Sequence, residues 1–166
     1  MADSFDLATL GLSSGEARSL SLEVPVDELA FGGQTYSAGG VAEARLDLSR
    51  TMSGHALRLR FEAGLAGPCM RCLEDAGATV AVDAREIDQP GDDEELRSPY
   101  VADGELDLRS WARDALALAL PTQIFCRADC RGLCARCGEN LNRNPDHAHE
   151  REPDPRWAKL SELKLD

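Results

Sequence analysis

Eight side chains in this sequence could bind a soft metal ion, and they fall in two places. Cys69-Met70-Arg71-Cys72 stands alone in the first half of the chain. Cys126, Cys130, Cys134 and Cys137 follow far downstream, with His147 and His149 just beyond them. These places hold all six cysteines and two of the three histidines. Thiolate and imidazole are the ligands that tetrahedral zinc prefers, and a CxxC turn points two sulfurs at one ion. Cys134-Ala135-Arg136-Cys137-Gly138 has the form of a knuckle, with glycine after the second cysteine. The eight divide naturally into two sets of four. Cys134, Cys137, His147 and His149 come from one contiguous segment. Cys69, Cys72, Cys126 and Cys130 would tie two distant segments together. A closed set of four leaves no position for water, so both sets read as structural zinc sites; four thiolates could also hold iron.

The elements that must position these ligands are legible as alternation. Residues 42–49, 57–63 and 78–85 each place apolar side chains at every second position. Leu57, Leu59 and Phe61, for example, alternate with Arg58, Arg60 and Glu62. Period two with one apolar face predicts half-buried antiparallel strands. Residues 19–24 form a further strand by the same test. Ser53-Gly54 turns the chain between the first clear pair, and the first CxxC lies at the tip between the next pair. From Leu108 the spacing becomes helical, through Trp111, Ala115 and Leu118. Asp107 suits the N-cap, and Pro121 ends the helix. Asp154-Pro155 opens a last short helix with Trp157, Leu160 and Leu163 on one stripe. Residues 1–17 read as an arm or a short helix, and 88–104 as a solvated, mobile acidic loop. The fold class is α+β: an antiparallel sheet with one main helix and a C-terminal Cys/His zinc-knuckle module. Residues 1–121 form the core and 122–166 the module.

Composition restricts the function. The net charge is −12, against a simple nucleic-acid binder. Residues 83–107 carry ten acids against Arg85 and Arg97. The metal segment differs: Arg127, Arg131, Arg136, Arg143 and Arg151 give residues 126–151 a charge of +1. The sequence opens on no basic and apolar leader, and its longest apolar run, 115–120, is too short to span a bilayer. A cytoplasmic protein is expected, where cysteines serve as metal ligands before they serve as disulfides. No GxSxG, HExxH or phosphate loop is present, so no enzyme is expected. A thioredoxin-type CxxC starts a helix, whereas this one joins two strands. His55, behind its turn, reads as an ordinary exposed residue, and Trp111 and Trp157 as core.

Cys69-Met70-Arg71-Cys72-Leu73 and the run from Pro121 through Cys130-Arg131-Gly132-Leu133-Cys134 to Cys137-Gly138-Glu139-Asn140-Leu141-Asn142 resemble the YceD family, as do Asp154-Pro155-Arg156 and Leu160. His147 and His149 stand where many members of that family place two cysteines. The resemblance implies a non-enzymatic factor in 23S ribosomal RNA processing or large-subunit assembly. Its partner would be 23S rRNA or a pre-ribosomal particle. Arg127, Arg131, Arg136 and Arg143 would then meet phosphate, since arginine pairs with it in a bidentate way. Two other functions fit the residues: an acidic adaptor that recruits ribosomal proteins or a processing nuclease, and a thiol redox sensor.

Overall fold

The computed structural model describes residues 3–91 and 94–149. The expected helix after Asp154 and the side chain of Arg151 lie outside the described residues. In chain order the strands are β1 (Ser4–Asp6), β2 (Ala17–Val26), β3 (Leu29–Phe31), β4 (Gln34–Tyr36), β5 (Gly40–Arg50), β6 (His55–Pro68), β7 (Asp75–Asp88), β8 (Val101–Ala102) and β9 (Glu105–Asp107), followed by helix α1 (Leu108–Ala119). The main sheet has the order β2-β5-β6-β7 and every pairing in it is antiparallel. The architecture is α+β, as the alternation requires.

Alternation sets the two faces of the sheet. Leu46, Leu48, Leu57, Leu59, Val80 and Val82 point to one side and are buried. Helix α1 covers them with Leu108, Trp111, Ala112, Ala115 and Leu116. The Asp107 side chain accepts from Ser110 N at 2.9 Å and so caps the helix, as its position predicts. Leu120, before Pro121, turns to ψ 138°, which ends the helical run. The strands outrun their apolar pattern. β6 and β7 stay paired from His55↔Asp88 to Pro68↔Asp75. Their far ends are built of small residues such as Gly64, Ala66, Gly67 and Gly77, which keep the ladder but blur the period. That extension carries the first CxxC away from the main core.

The solvent face of the sheet is charged, and Asp47 is its hub. Ser19, Arg45 and Arg60 all donate to its carboxylate. The Ser19 hydroxyl bond, then the Arg60 and Arg45 guanidiniums, overcome partial burial and hold its pKa at about 2. A carboxylate depressed in this way stabilises the fold fully above its unfolded value near 4. The contribution is lost as pH falls through about 2. Asp47→Asn is expected to lower stability at neutral pH by about 1 kcal/mol, a figure discounted for solvent screening. Urea unfolding checks it: the gap between the two proteins should close as pH falls from about 4 towards about 2.

Three segments differ from the sequence reading. Residues 4–10 are an integral part of the fold, with β1 paired to β9 and Leu7 buried at the head of a short 3-10 turn. The described part of the acidic stretch 88–104 is anchored and not simply solvated. Ser98 is buried and its N–H donates to the buried Asp88 carboxylate at 3.3 Å. Tyr100 stacks on Trp111 with centroids 6.2 Å apart and donates to Asp114 at 3.2 Å. His55 is half-buried rather than exposed. Its Nε2 meets an Arg50 guanidinium nitrogen at 3.0 Å, and burial, then the Arg50 charge, lowers its pKa.

Candidate metal centre

Two knuckles of the same backbone design supply four of the eight candidate ligands, Cys69 and Cys72, then Cys134 and Cys137. In the first, Cys69 N donates to Glu74 O at 2.7 Å and Leu73 N to Cys69 O at 3.0 Å. In the second, Cys134 N donates to Glu139 O and Gly138 N to Cys134 O, both at 2.8 Å. The residue after the second cysteine takes a left-handed conformation in each, Leu73 at φ 63° and Gly138 at φ 77°. Glycine does this without strain, whereas leucine is strained there. The first knuckle closes the β6–β7 hairpin. The second is embedded in the 126–149 segment that follows α1.

The eight side chains converge in two groups: Cys69, Cys72, Cys126 and Cys130, then Cys134, Cys137, His147 and His149, with ligand atoms within 4.8 Å of one another in each. Cys69 Sγ lies 3.8 Å from Cys130 Sγ, and Cys72 Sγ 3.6 Å from Cys126 Sγ. A disulfide would require about 2.05 Å. Four sulfurs at zinc bond length on a tetrahedron stand about 3.8 Å apart. In the second group Cys137 Sγ lies 3.2 Å from His147 Nε2 and 3.3 Å from His149 Nε2, and the two nitrogens are 3.0 Å apart. These edges are slightly shorter than the roughly 3.3–3.6 Å of a mixed zinc tetrahedron. Donor type, number and spacing therefore fit one tetrahedral ion in each group.

The surroundings favour the thiolate at some ligands and oppose it at others. Burial opposes ionisation at Cys69, but the N–H groups of Arg71, Cys72 and Cys126 outweigh it and bring the thiol to about 6. At Cys126, burial and then the thiols of Cys72, Cys130 and Cys69 act the other way, to about 12. In the second group the N–H groups of Arg136 and Cys137 bring Cys134 to about 6. Neighbouring thiols ionise against one another, and a divalent cation is what lets all four ionise together.

The two groups differ in exposure. Cys69, Cys72 and Cys130 are buried and pack with Ala76, Phe125 and Leu133. Cys137 and His149 are exposed. Several contacts lock the first knuckle to the downstream segment. Arg71 donates to Cys130 O at 2.9 Å and accepts from Leu133 N at 3.1 Å through its carbonyl. Its guanidinium lies over the Phe125 ring, 4.1 Å from the centroid. Arg143 Nε donates to Glu74 at 2.9 Å. Gly132 is needed at the crossing: it takes φ 77°, and a Cβ there would sit 3.0 Å from Arg71 O. Asn142 reaches between the groups, its Nδ2 3.4 Å from Cys130 Sγ and its Oδ1 accepting from Arg131 N at 2.8 Å.

Arg127, Arg131, Arg136 and Arg143 are exposed around this segment. Arg127 pairs with Asp129 at 3.2 Å, and Arg131 donates to Pro145 O at 3.1 Å. The sequence reading gave no part to Arg71, Glu74 or Asn142. Arg71 and Asn142 carried a signal only in their places in the Cys69-Met70-Arg71-Cys72-Leu73 and Cys137-Gly138-Glu139-Asn140-Leu141-Asn142 strings, and Glu74 carried none.

Together these features define an antiparallel sheet protein whose longest hairpin ends in a CxxC knuckle, latched to a downstream segment that carries a second knuckle and two histidines. The chain belongs to the YceD family. The family model described as large ribosomal RNA subunit accumulation protein YceD matches residues 57–164, which include both Cys/His groups. An uncharacterised protein of Mycobacterium tuberculosis is 36% identical over 131 residues, 75% of this chain and 63% of its own length. One from Mycobacterium leprae is 38% identical over 101 residues, 57% of this chain and 46% of its own. A maize protein named large ribosomal RNA subunit accumulation protein YCED homolog 1, chloroplastic, is 37% identical over 70 residues, 42% of this chain and 24% of its own. The chain thus spans less than two thirds of the length of these relatives. No solved structure matches it.

Proposed function

We propose that this chain acts without catalysis in the maturation and accumulation of 23S ribosomal RNA, as a factor in which two structural zinc ions hold the described part of the C-terminal module, residues 122–149, rigid. The observation that carries the reading is the family match across residues 57–164, together with the ribosomal name of the maize relative. Zinc is favoured over other metals because it is tetrahedral and redox-inert, and because each donor set closes all four positions. The partner is 23S rRNA or a pre-ribosomal particle in the cytoplasm. Among the described residues no helix is long and apolar enough to cross a membrane.

The contact with RNA falls to Arg127, Arg131, Arg136 and Arg143, because the rest of the chain is acidic and repels a polyanion. Exposed ion pairs such as Arg127–Asp129 are worth little, so phosphate can compete for these guanidiniums. The adaptor reading has its own support in the ten acids of residues 83–107. One experiment separates the two. Changing Arg127, Arg131 and Arg136 together to glutamine is expected to weaken binding to 23S fragments roughly tenfold or more and to flatten its salt dependence, since each lost phosphate contact removes counterion release. Co-sedimentation with ribosomal precursors should fall in step. If the arginine variant behaves as wild type in both assays, while neutralising Asp92, Asp93, Glu94 and Glu95 abolishes co-sedimentation, the adaptor reading replaces this one.

A further inference from the structure

We propose that Asn142 is a positioning residue that couples the two metal centres, its side-chain amide donating to the Cys130 thiolate while its carbonyl holds the loop that carries the ligands of the second centre. The inference rests on the metal reading above and goes beyond it. A divalent ion bound by four thiolates carries a net charge of −2, and N–H groups directed at sulfur spread that charge. The backbone supplies one such group from Arg71 N to Cys69 Sγ at 3.4 Å. Asn142 supplies another from a side chain, at 3.4 Å from Cys130 Sγ.

The same residue faces the other way. Its Oδ1 accepts from Arg131 N at 2.8 Å, and its own N–H donates to Asn140 Oδ1 at 2.9 Å. Asn140 O in turn accepts from Arg143 N and Asn144 N, and Asn144 O from His147 N at 3.2 Å. A chain of hydrogen bonds thus runs from a ligand of the first centre to a ligand of the second. Filling the first centre fixes Cys130, hence Asn142, hence the turn that presents His147. The second set is open to solvent at Cys137 and His149, and among the described residues no apolar cluster packs on it as one does on the first set. This connection ties its order to that of the first centre.

Cobalt(II) titration of the full chain tests the proposal, because sulfur-to-cobalt charge transfer distinguishes a four-thiolate centre from one with two thiolates and two imidazoles. In the wild type the two signatures should rise together. Asn142→Ala should separate them, so that the four-thiolate signature saturates first, and should speed cobalt release to chelator from the first centre by about tenfold. Asn142→Asp keeps the acceptor for Arg131 but turns an anionic oxygen towards Cys130 Sγ. A residue that only closes the loop would make Asp milder than Ala; a donor to thiolate makes Asp the worse of the two at the first centre. Hydrogen-exchange protection of β5, β6 and α1 reports in each case that the sheet and helix are folded. A wild type that binds no cobalt would remove the metal reading and this inference with it. Cobalt bound with the same profile and release rate in all three proteins would overturn the inference alone.

Discussion

Cys130→Ser is expected to release residues 126–149 from the sheet and to reduce bound zinc from about two ions per chain to one or none. Cys130 Sγ stands 3.8 Å from Cys69 Sγ, so it is a junction between the hairpin tip and the downstream segment. Three thiolates cannot close the tetrahedron. Beyond Ile124, which is buried in the main core, the segment is held by the Arg71 and Arg143 contacts and by a small cluster built on Cys69, Cys72 and Cys130 themselves. Structural zinc contributes on the order of 10 kcal/mol to such modules, more than a few exposed ion pairs can replace. Hydrogen exchange should therefore show protection lost throughout 126–149, while Ile124, buried in the main core, stays protected. The β2-β5-β6-β7 sheet has its own core and should keep its protection. Cys137→Ser, at an exposed ligand of the second group, should lose one ion and leave the latch at Cys69 closed. Full protection and full metal content in Cys130→Ser would show that zinc does not organise the segment.

Gly54→Ala is expected to cost the sheet about 2–3 kcal/mol, a large effect for a single methyl group. A Cβ at Gly54 would lie 1.8 Å from Asp88 O, 2.8 Å from Asp88 C and 3.0 Å from Gln89 Cα. All three are backbone atoms, so no side chain can swing aside. The turn cannot yield either, because Thr51 N donates to Gly54 O and Gly54 N to Thr51 Oγ1, both at 2.9 Å. The chain must shift where β7 ends against the start of β6. Gly91→Ala is the control, with no atom within 4 Å of its added Cβ. Equal urea midpoints for the two variants would contradict the close approach.

Strands, helix and ligand groups were legible because each rests on a local rule. Leu57, Leu59 and Phe61 must share a face once the chain is extended. Asp107 and Pro121 mark helix ends whatever surrounds them. Four donors per ion, with two supplied by each CxxC, leave few ways to group six cysteines and two histidines. What stayed hidden is non-local. The pairing of Ser4–Asp6 with Glu105–Asp107 joins three-residue strands a hundred positions apart, too short to show a period. Ser98 is buried by Asp88 and Tyr100 contacts that composition alone does not announce, so an acidic stretch reads as solvated. His55 gains its surroundings from Arg50 and the neighbouring strand end. Asn142 looks like any loop asparagine until Cys130 is brought to its side.

The β6–β7 hairpin is paired over fourteen residues in each strand. At about 3.4 Å per residue such a ribbon is roughly 45 Å from its His55 end to its cysteine tip. It is a spacer of fixed length. Whatever docks at the arginines around the tip and whatever touches the turn beside Gly54 are held at a set separation by one rigid rod. Side chains alternate faces along it, so only even deletions preserve its orientation. Removing two residues from each strand in register would draw the two ends about 7 Å closer without turning either one over.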